Sequence, residues 1–167
     1  MTAGALDMLG GRPVGQVGII VRDLDRALER YSSLWGLGPW AGYLYGPATV
    51  PTLTYRGGPG RYSMRIALTG NSPQVELLAP LEGPSIYHEW LETRPEGLHH
   101  VGVYVESFHS AVETMEAAGY DLLQSGFGYG LDGDGGYAYF DTERDFGIIV
   151  EALEVPRRRR TPDFTWP

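Results

Sequence analysis

The stretch Gly97-Leu98-His99-His100-Val101-Gly102-Val103-Tyr104-Val105 decides how the rest of the chain is read. Its β-branched residues predict a strand, with a histidine at the mouth and a glycine two residues on. A second stretch near the N-terminus, Gly15-Gln16-Val17-Gly18-Ile19-Ile20-Val21, has the same shape. Laying Gln16 on His100 places Val17, Gly18, Val21 and Ala27 on the identical Val101, Gly102, Val105 and Ala111. Leu24 then meets Phe108 and Leu28 meets Val112, and further on Val75-Glu76 falls on Val150-Glu151 across loops of unequal length. Such self-similarity is the mark of an internal duplication.

Each copy expands in the same way. After the first strand, Asp23 is placed to cap a helix carrying Leu24, Ala27, Leu28, Tyr31 and Leu34 at spacings of three and four, stopped by Gly36. A bent strand and loop over 40–54, a turn at Gly57–Gly60, and strands over 62–68 and 74–79 complete a βαβββ module. The second copy offers Ser107 as the cap of a helix ended by Gly119. Strands follow over 120–125, 137–141 and 148–153, with a glycine-rich hairpin loop from Gly126 to Gly136 that is a candidate lid. The chain thus divides into a loose lead-in (1–13), a first module (14–80), a connector (81–95), a second module (96–155) and an Arg/Pro-rich tail (156–167). In the connector, Pro84 is expected in the first turn of a short helix bearing His88, a surface or packing histidine.

Composition removes several chemistries. The 167 residues contain no cysteine and no lysine, which excludes disulfides, thiolate sites and Schiff-base catalysis. A net charge of -8 argues against nucleic acid as a partner. The one basic run, Arg157-Arg158-Arg159-Arg160, reads as a solvated tail before it reads as a phosphate- or CoA-binding patch. No segment has the length of apolar sequence that spans a membrane, and residues 1–13 carry no signal-peptide pattern, so a cytoplasmic protein is expected.

The duplication turns single residues into a constellation. If each helix covers one sheet face over Val17, Ile19 and Val21 or Val101, Val103 and Val105, the opposite faces carry Gln16 and His100 on the first strands. Glu76 and Glu151 sit on the fourth strands among valine and leucine, where a carboxylate is costly to bury without a compensating cation. Any one of the four has a simpler reading as a packed or edge residue. Two internally related pairs favour a metal site with Gln16, Glu76, His100 and Glu151 as ligands. That donor set admits Zn, Ni, Co, Mn or Fe(II), and calls for no organic cofactor. By strand alternation His99 points away from His100. Trp40, Tyr43, Tyr45, Tyr104, Tyr137 and Tyr139 are candidate pocket walls; Tyr104 shares the face of His100.

With these residues in view, the chain resembles the vicinal oxygen chelate superfamily, which includes glyoxalase I, methylmalonyl-CoA epimerase, extradiol dioxygenases and bleomycin-binding proteins. The marks are Val-Gly-Ile-Ile-Val-Arg-Asp-Leu-Asp (17–25), Val-Glu-Leu-Leu-Ala-Pro (75–80), Gly-Leu-His-His-Val-Gly (97–102) and Ile-Ile-Val-Glu (148–151). The resemblance implies a single α+β domain of two tandem βαβββ modules whose sheets form an open curved barrel around a metal-binding cleft. Its metal positions fall on Gln16, Glu76, His100 and Glu151, a pattern similar to that of glyoxalase I; the epimerase usually has histidine at the position of Gln16.

The resemblance implies a divalent-metal-dependent isomerase, epimerase or lyase acting through a metal-stabilised enediolate on a small carbonyl or acyl compound, including acyl-CoA. Glu151 is the implied base and Glu76 its partner on the other side; from the residues themselves, Tyr104, Trp40 and Tyr139 are the candidate substrate-binding walls. A homodimer is the usual assembly. The alternative is a non-catalytic protein that sequesters a drug or metabolite in the same cleft. Fe(II) dioxygenase chemistry is less expected, because those relatives use two histidines; hydrolysis or ring opening stays open.

Overall fold

The computed structural model describes residues 10–167, so most of the lead-in expected over 1–13 lies outside the described residues. In chain order the elements are β1 (Gln16–Ile20), α1 (Leu24–Trp35), β2 (Trp40–Tyr45), β3 (Thr52–Tyr55), β4 (Gly58–Pro59), β5 (Met64–Thr69), β6 (Gln74–Pro80) and α2 (Ile86–Thr93). There follow β7 (Gly97–Tyr104), α3 (Phe108–Ala117), β8 (Leu122–Tyr129), β9 (Gly135–Phe140), α4 (Glu143–Phe146), β10 (Ile149–Glu154) and β11 (Phe164–Trp166).

The strands form one sheet in the order β11-β2-β5-β6-β1-β7-β10-β9-β8-β3-β4. Within it β6-β1 and β7-β10 are parallel pairs, joined in the middle by the antiparallel pair β1-β7. The first and fourth strands of each copy therefore lie together at the centre. The sheet is curled and unclosed: β2 and β8 are far apart in strand order, yet the rings of Tyr45 and Tyr129 stand 5.3 Å apart across the cleft.

Three apolar clusters follow from the curl. The helix α1 covers the convex face of the first half over Ile19, Val21, Ala67, Leu77 and Ala79, with Val17 at its margin. The helix α3 does the same for the second half over Ala138, Phe140 and Ala152, with Val105 at its margin. The third cluster fills the concave side and is rich in tyrosine. Both helix starts are fixed as the sequence indicates. Asp23 accepts from the Arg26 amide and Ser107 from the Ser110 amide, which satisfies otherwise unpaired first-turn N–H groups. Gly36 ends α1 in the left-handed conformation, φ 72°.

Four details differ from the sequence reading. Residues 40–54 hold more than a bent strand and loop: β2 ends at Tyr45, and a second strand, β3, starts at Thr52 and crosses the cleft to pair with β8. In the connector Ser85 caps α2, so Pro84 precedes the helix instead of opening it. His88 is used at that cap, its Nδ1 lying 3.0 Å from the Ser85 hydroxyl. The glycine-rich run is also more strand than loop. Gly126 belongs to β8 and Gly135 and Gly136 to β9, where they make room for the rings of Tyr137, Tyr129 and Phe108 respectively.

The fourth difference is the arginine run, which is tied down. Arg157 Nε lies 2.7 Å from Asp134 Oδ2, Arg158 Nε 3.0 Å from Asp132 Oδ2, and Arg160 Nη2 2.9 Å from Asp163 Oδ2. Beyond them β11 adds an antiparallel edge strand to β2. The segment after β10 is therefore a strap from the second half of the sheet to the far edge of the first. Charge patterning alone could not reveal this, because Asp132 and Asp134, which hold Arg158 and Arg157, lie in the distant loop between β8 and β9.

Candidate active site

Two rows of residues cross the centre of the sheet. In one, Glu76 on β6 and His100 on β7 flank Gly18 on β1. In the other, Gln16 on β1 and Glu151 on β10 flank Gly102 on β7. Because β1 and β7 run antiparallel, each glycine is the seat for the other copy's donor. A Cβ on Gly18 would stand 1.9 Å from the His100 ring; one on Gly102 would stand 3.0 Å from Gln16 Cβ and 3.1 Å from Glu151 Oε2. The glycine two residues after each donor, visible in the repeat, is thus the space that lets four polar side chains converge on the concave face.

The four side chains predicted from the duplication are brought together and buried, between 0% and 6% exposed. His100 Nε2 lies 3.3 Å from Glu76 Oε2 and 3.3 Å from Glu151 Oε2, but neither contact is aligned as a hydrogen bond. Gln16 is turned by Gln74, whose Oε1 accepts from Gln16 Nε2 at 3.1 Å. Four buried polar atoms are left without partners here, one on each residue: Gln16 Oε1, Glu76 Oε2, His100 Nε2 and Glu151 Oε2.

Electrostatics follow from this crowding. Burial alone would pull the His100 pKa down, but Glu151 and Glu76 outweigh it and lift it to about 9. Burial raises the pKa of Glu151, against the opposing pull of His100. On the other side of His100, His99 Nδ1 lies 2.9 Å from His100 Nδ1. Strand alternation predicts the opposite direction for His99. The register between β1 and β7 shifts at this point, with Gly18 opposite His100 and Ile19 opposite Leu98, so His99 is an extra residue on a bulged strand. Burial, and then the neighbouring His100, hold the His99 pKa down at about 2, so it is a neutral ring that fixes the orientation of His100.

A cavity of about 40 Å³ opens over these residues, lined by Gln16, Glu76 and Glu151 and walled by Tyr45, Tyr104, Tyr129, Tyr137 and Tyr139. That is room for a few water molecules. Tyr104 and Tyr139 thus stand where the sequence places them. Trp40 does not. It is buried on the convex side against α1, its indole N–H donating to Ser32 Oγ and the Leu37 carbonyl. Strand parity accounts for this: Tyr43 and Tyr45 occupy the concave positions of β2, and Trp40 has the opposite parity. Tyr129, Gln74 and Arg159 also line the cavity and were not singled out from sequence. Tyr129 falls in a stretch whose glycines read as a loop, Gln74 shows its role only through Gln16, and Arg159 belongs to a run that reads as a tail.

An open, curled sheet with equivalent first and fourth strands meeting at a central cleft defines the glyoxalase-like class of α+β fold. Residues 15–140 match the Glyoxalase/Bleomycin resistance protein/Dioxygenase superfamily, and the chain belongs to it. No curated protein sequence matches significantly. Among solved structures, the hypothetical protein BH1468 from Bacillus halodurans C-125 is similar at TM-score 0.64 and 19% identity, over 90% of this chain and 99% of that one. Methylmalonyl-CoA epimerase from Mycobacterium tuberculosis is similar at TM-score 0.63 and 21% identity, over 94% and 95% of the two chains. A Streptomyces coelicolor methylmalonyl-CoA epimerase in complex with 2-nitronate-propionyl-CoA gives 0.63 and 17%, over 89% and 98%. At these identities the likeness is one of fold.

Members of this superfamily commonly use a divalent metal, and the donors can be tested for fit. Counting only His, Cys, Asp and Glu, the described residues hold no ready-made group of three that could hold a metal ion. The imidazole is instead wedged between two carboxylates, and the fourth donor is an amide. What fits a cation is the chemistry of the cluster: three oxygen donors and one nitrogen, two of the oxygens on carboxylates, each with an unpaired atom. Among the described residues no helix is long and apolar enough to cross a membrane.

Proposed function

We propose that the protein is a divalent-metal-dependent enzyme of the isomerase, epimerase or lyase type, moving a proton on the carbon beside a carbonyl in a small acyl or carbonyl substrate. The single observation that carries this is the set of four orphaned buried atoms, on the two internally duplicated pairs, beneath one cavity. Buried polar atoms without partners are rare and costly, and four in one cluster point to something that completes them. Gln16, Glu76, His100 and Glu151 would hold a transition-metal ion, which when bound supplies Lewis-acid polarisation of a substrate carbonyl.

The remaining roles belong to the chain's own groups. Glu151 takes the proton and returns it, with Glu76 across His100 as the second carboxylate. Gln74 orients the Gln16 amide and His99 orients the His100 ring. The tyrosine walls exclude water from a proton that would otherwise exchange with solvent. An acyl-CoA substrate is one form of this chemistry, as the names of the epimerase neighbours indicate. The cytoplasm and a homodimer are the proposed setting, resting on the family likeness; exposed Leu34 and Trp35 at the end of α1 offer apolar surface for a second copy.

The test is proton exchange in deuterated water with the metal-loaded protein on a panel of acyl-CoAs and hemithioacetals. Deuterium enters beside the carbonyl with the wild type and fails to enter with Glu151→Gln. A Glu151→Gln protein that keeps its metal and full exchange would sink the assignment of the base. Metal-free protein that binds aromatic ligands without exchange would favour the sequestering reading.

A further inference from the structure

We infer that Arg159 is the specificity-determining residue of this cleft, the group that selects substrates bearing a carboxylate. The inference deepens the functional reading above and rests on it. Of the four consecutive arginines, Arg157, Arg158 and Arg160 are each bound to an aspartate. Arg159 alone has no ion-pair partner among the described residues, and it is the one that lines the cavity. Its positive charge is felt by three tyrosines of the wall, Tyr45, Tyr104 and Tyr129.

The strap fixes the backbone that carries this cation. Asp134 and Asp132 grip the two residues before Arg159, Asp163 grips the residue after it, and the Leu131 amide donates to the Arg158 carbonyl at 2.9 Å. Gly130 makes close approach possible, since a Cβ there would meet Pro156 at 2.5 Å. An unpaired guanidinium carried on a backbone anchored on both sides is placed to take a planar anion by two parallel hydrogen bonds. The cavity beneath is small, so the anion that reaches it is a short carboxylate.

The experiment titrates malonate, and separately the uncharged malonamide of the same shape, into wild-type, Arg159→Gln and Arg159→Lys proteins by calorimetry. Metal content is measured on each sample. Arg159 is exposed, so Arg159→Gln is expected to keep its melting temperature and its metal. Malonate is expected to bind Arg159→Gln about tenfold or more weakly, with Arg159→Lys intermediate and malonamide unchanged across the three. Equal malonate affinity in wild type and Arg159→Gln overturns the inference, as does an equal loss for malonamide. Absence of metal from the wild type would count against the functional reading, while the malonate comparison would still decide the role of Arg159.

Discussion

Replacing Gly18 by alanine tests the geometry of the site at its tightest point. The added Cβ would lie 1.9 Å from His100 Cε1 and 2.0 Å from its Nε2. Restoring an ordinary contact of about 3.5 Å requires the ring to retreat by about 1.5 Å. It has nowhere to go: His100 is fully buried, with the ring centroids of Tyr139 at 5.0 Å and His99 at 5.2 Å. Overpacking of this kind costs about 1–3 kcal/mol, and a fixed ring against backbone belongs at the upper end. For a domain of this size about 3 kcal/mol lowers Tm by about 6–12 °C. Gly102→Ala meets softer neighbours, its closest being Leu153 Cδ1 at 2.8 Å, and is expected to cost less. Gly58→Ala, with nothing within 4 Å, is the control and should stay within about 0.5 kcal/mol of wild type. Thermal and urea unfolding of the three variants measure the order. A Gly18→Ala protein as stable as Gly58→Ala, with undiminished metal binding, would refute the argument that these glycines seat the donors.

Three further perturbations follow from the same structure. Trp40→Phe removes the indole hydrogen bonds to Ser32 and Leu37 and should cost about 1–2 kcal/mol in urea unfolding while leaving metal content and malonate affinity unchanged, because Trp40 lies outside the cleft. Tyr62→Phe removes a buried hydroxyl that contacts the Ser125 carbonyl at 2.8 Å and the Tyr137 hydroxyl at 2.9 Å, and should destabilise by about 1–2 kcal/mol; a neutral result would mean that these contacts do not hold the segment before β5 against β8 and β9. Arg56, with the Tyr55 hydroxyl, holds the Glu89 carboxyl below its ordinary value of 4.5, so this group adds stability above that pH that is lost as pH falls through the lowered value. Both partners are partly exposed, so Glu89→Gln should cost less than about 1 kcal/mol at neutral pH and converge with wild type in acid.

The fold was legible because the duplication put the same pattern in view twice. The x-Val-Gly motif that opens β1 and recurs in the middle of β7 locates both first strands, and Val-Glu locates both fourth strands, without any long-range information. The convergence of Gln16, Glu76, His100 and Glu151 followed from symmetry. What sequence could not show were properties of pairing between distant segments. The bulge that turns His99 toward His100 depends on the register of β7 against β1. The crossing of β3 to β8 depends on the cleft having two walls. Trp40 fell on the wrong side because an aromatic run gives no parity until its strand boundaries are known. The arginine run reads as solvated because two of its three partners, Asp132 and Asp134, come from the distant hairpin tip between β8 and β9.

The most direct test of the central claim is elemental analysis of the purified protein beside His100→Ala and Glu151→Ala, each checked for folding by circular dichroism. The account predicts about one divalent transition-metal ion per chain in the wild type and its loss in both folded variants. A wild type without metal, showing no thermal shift when Zn, Ni, Co or Mn is added, would contradict it; so would metal that stays bound when His100 is removed.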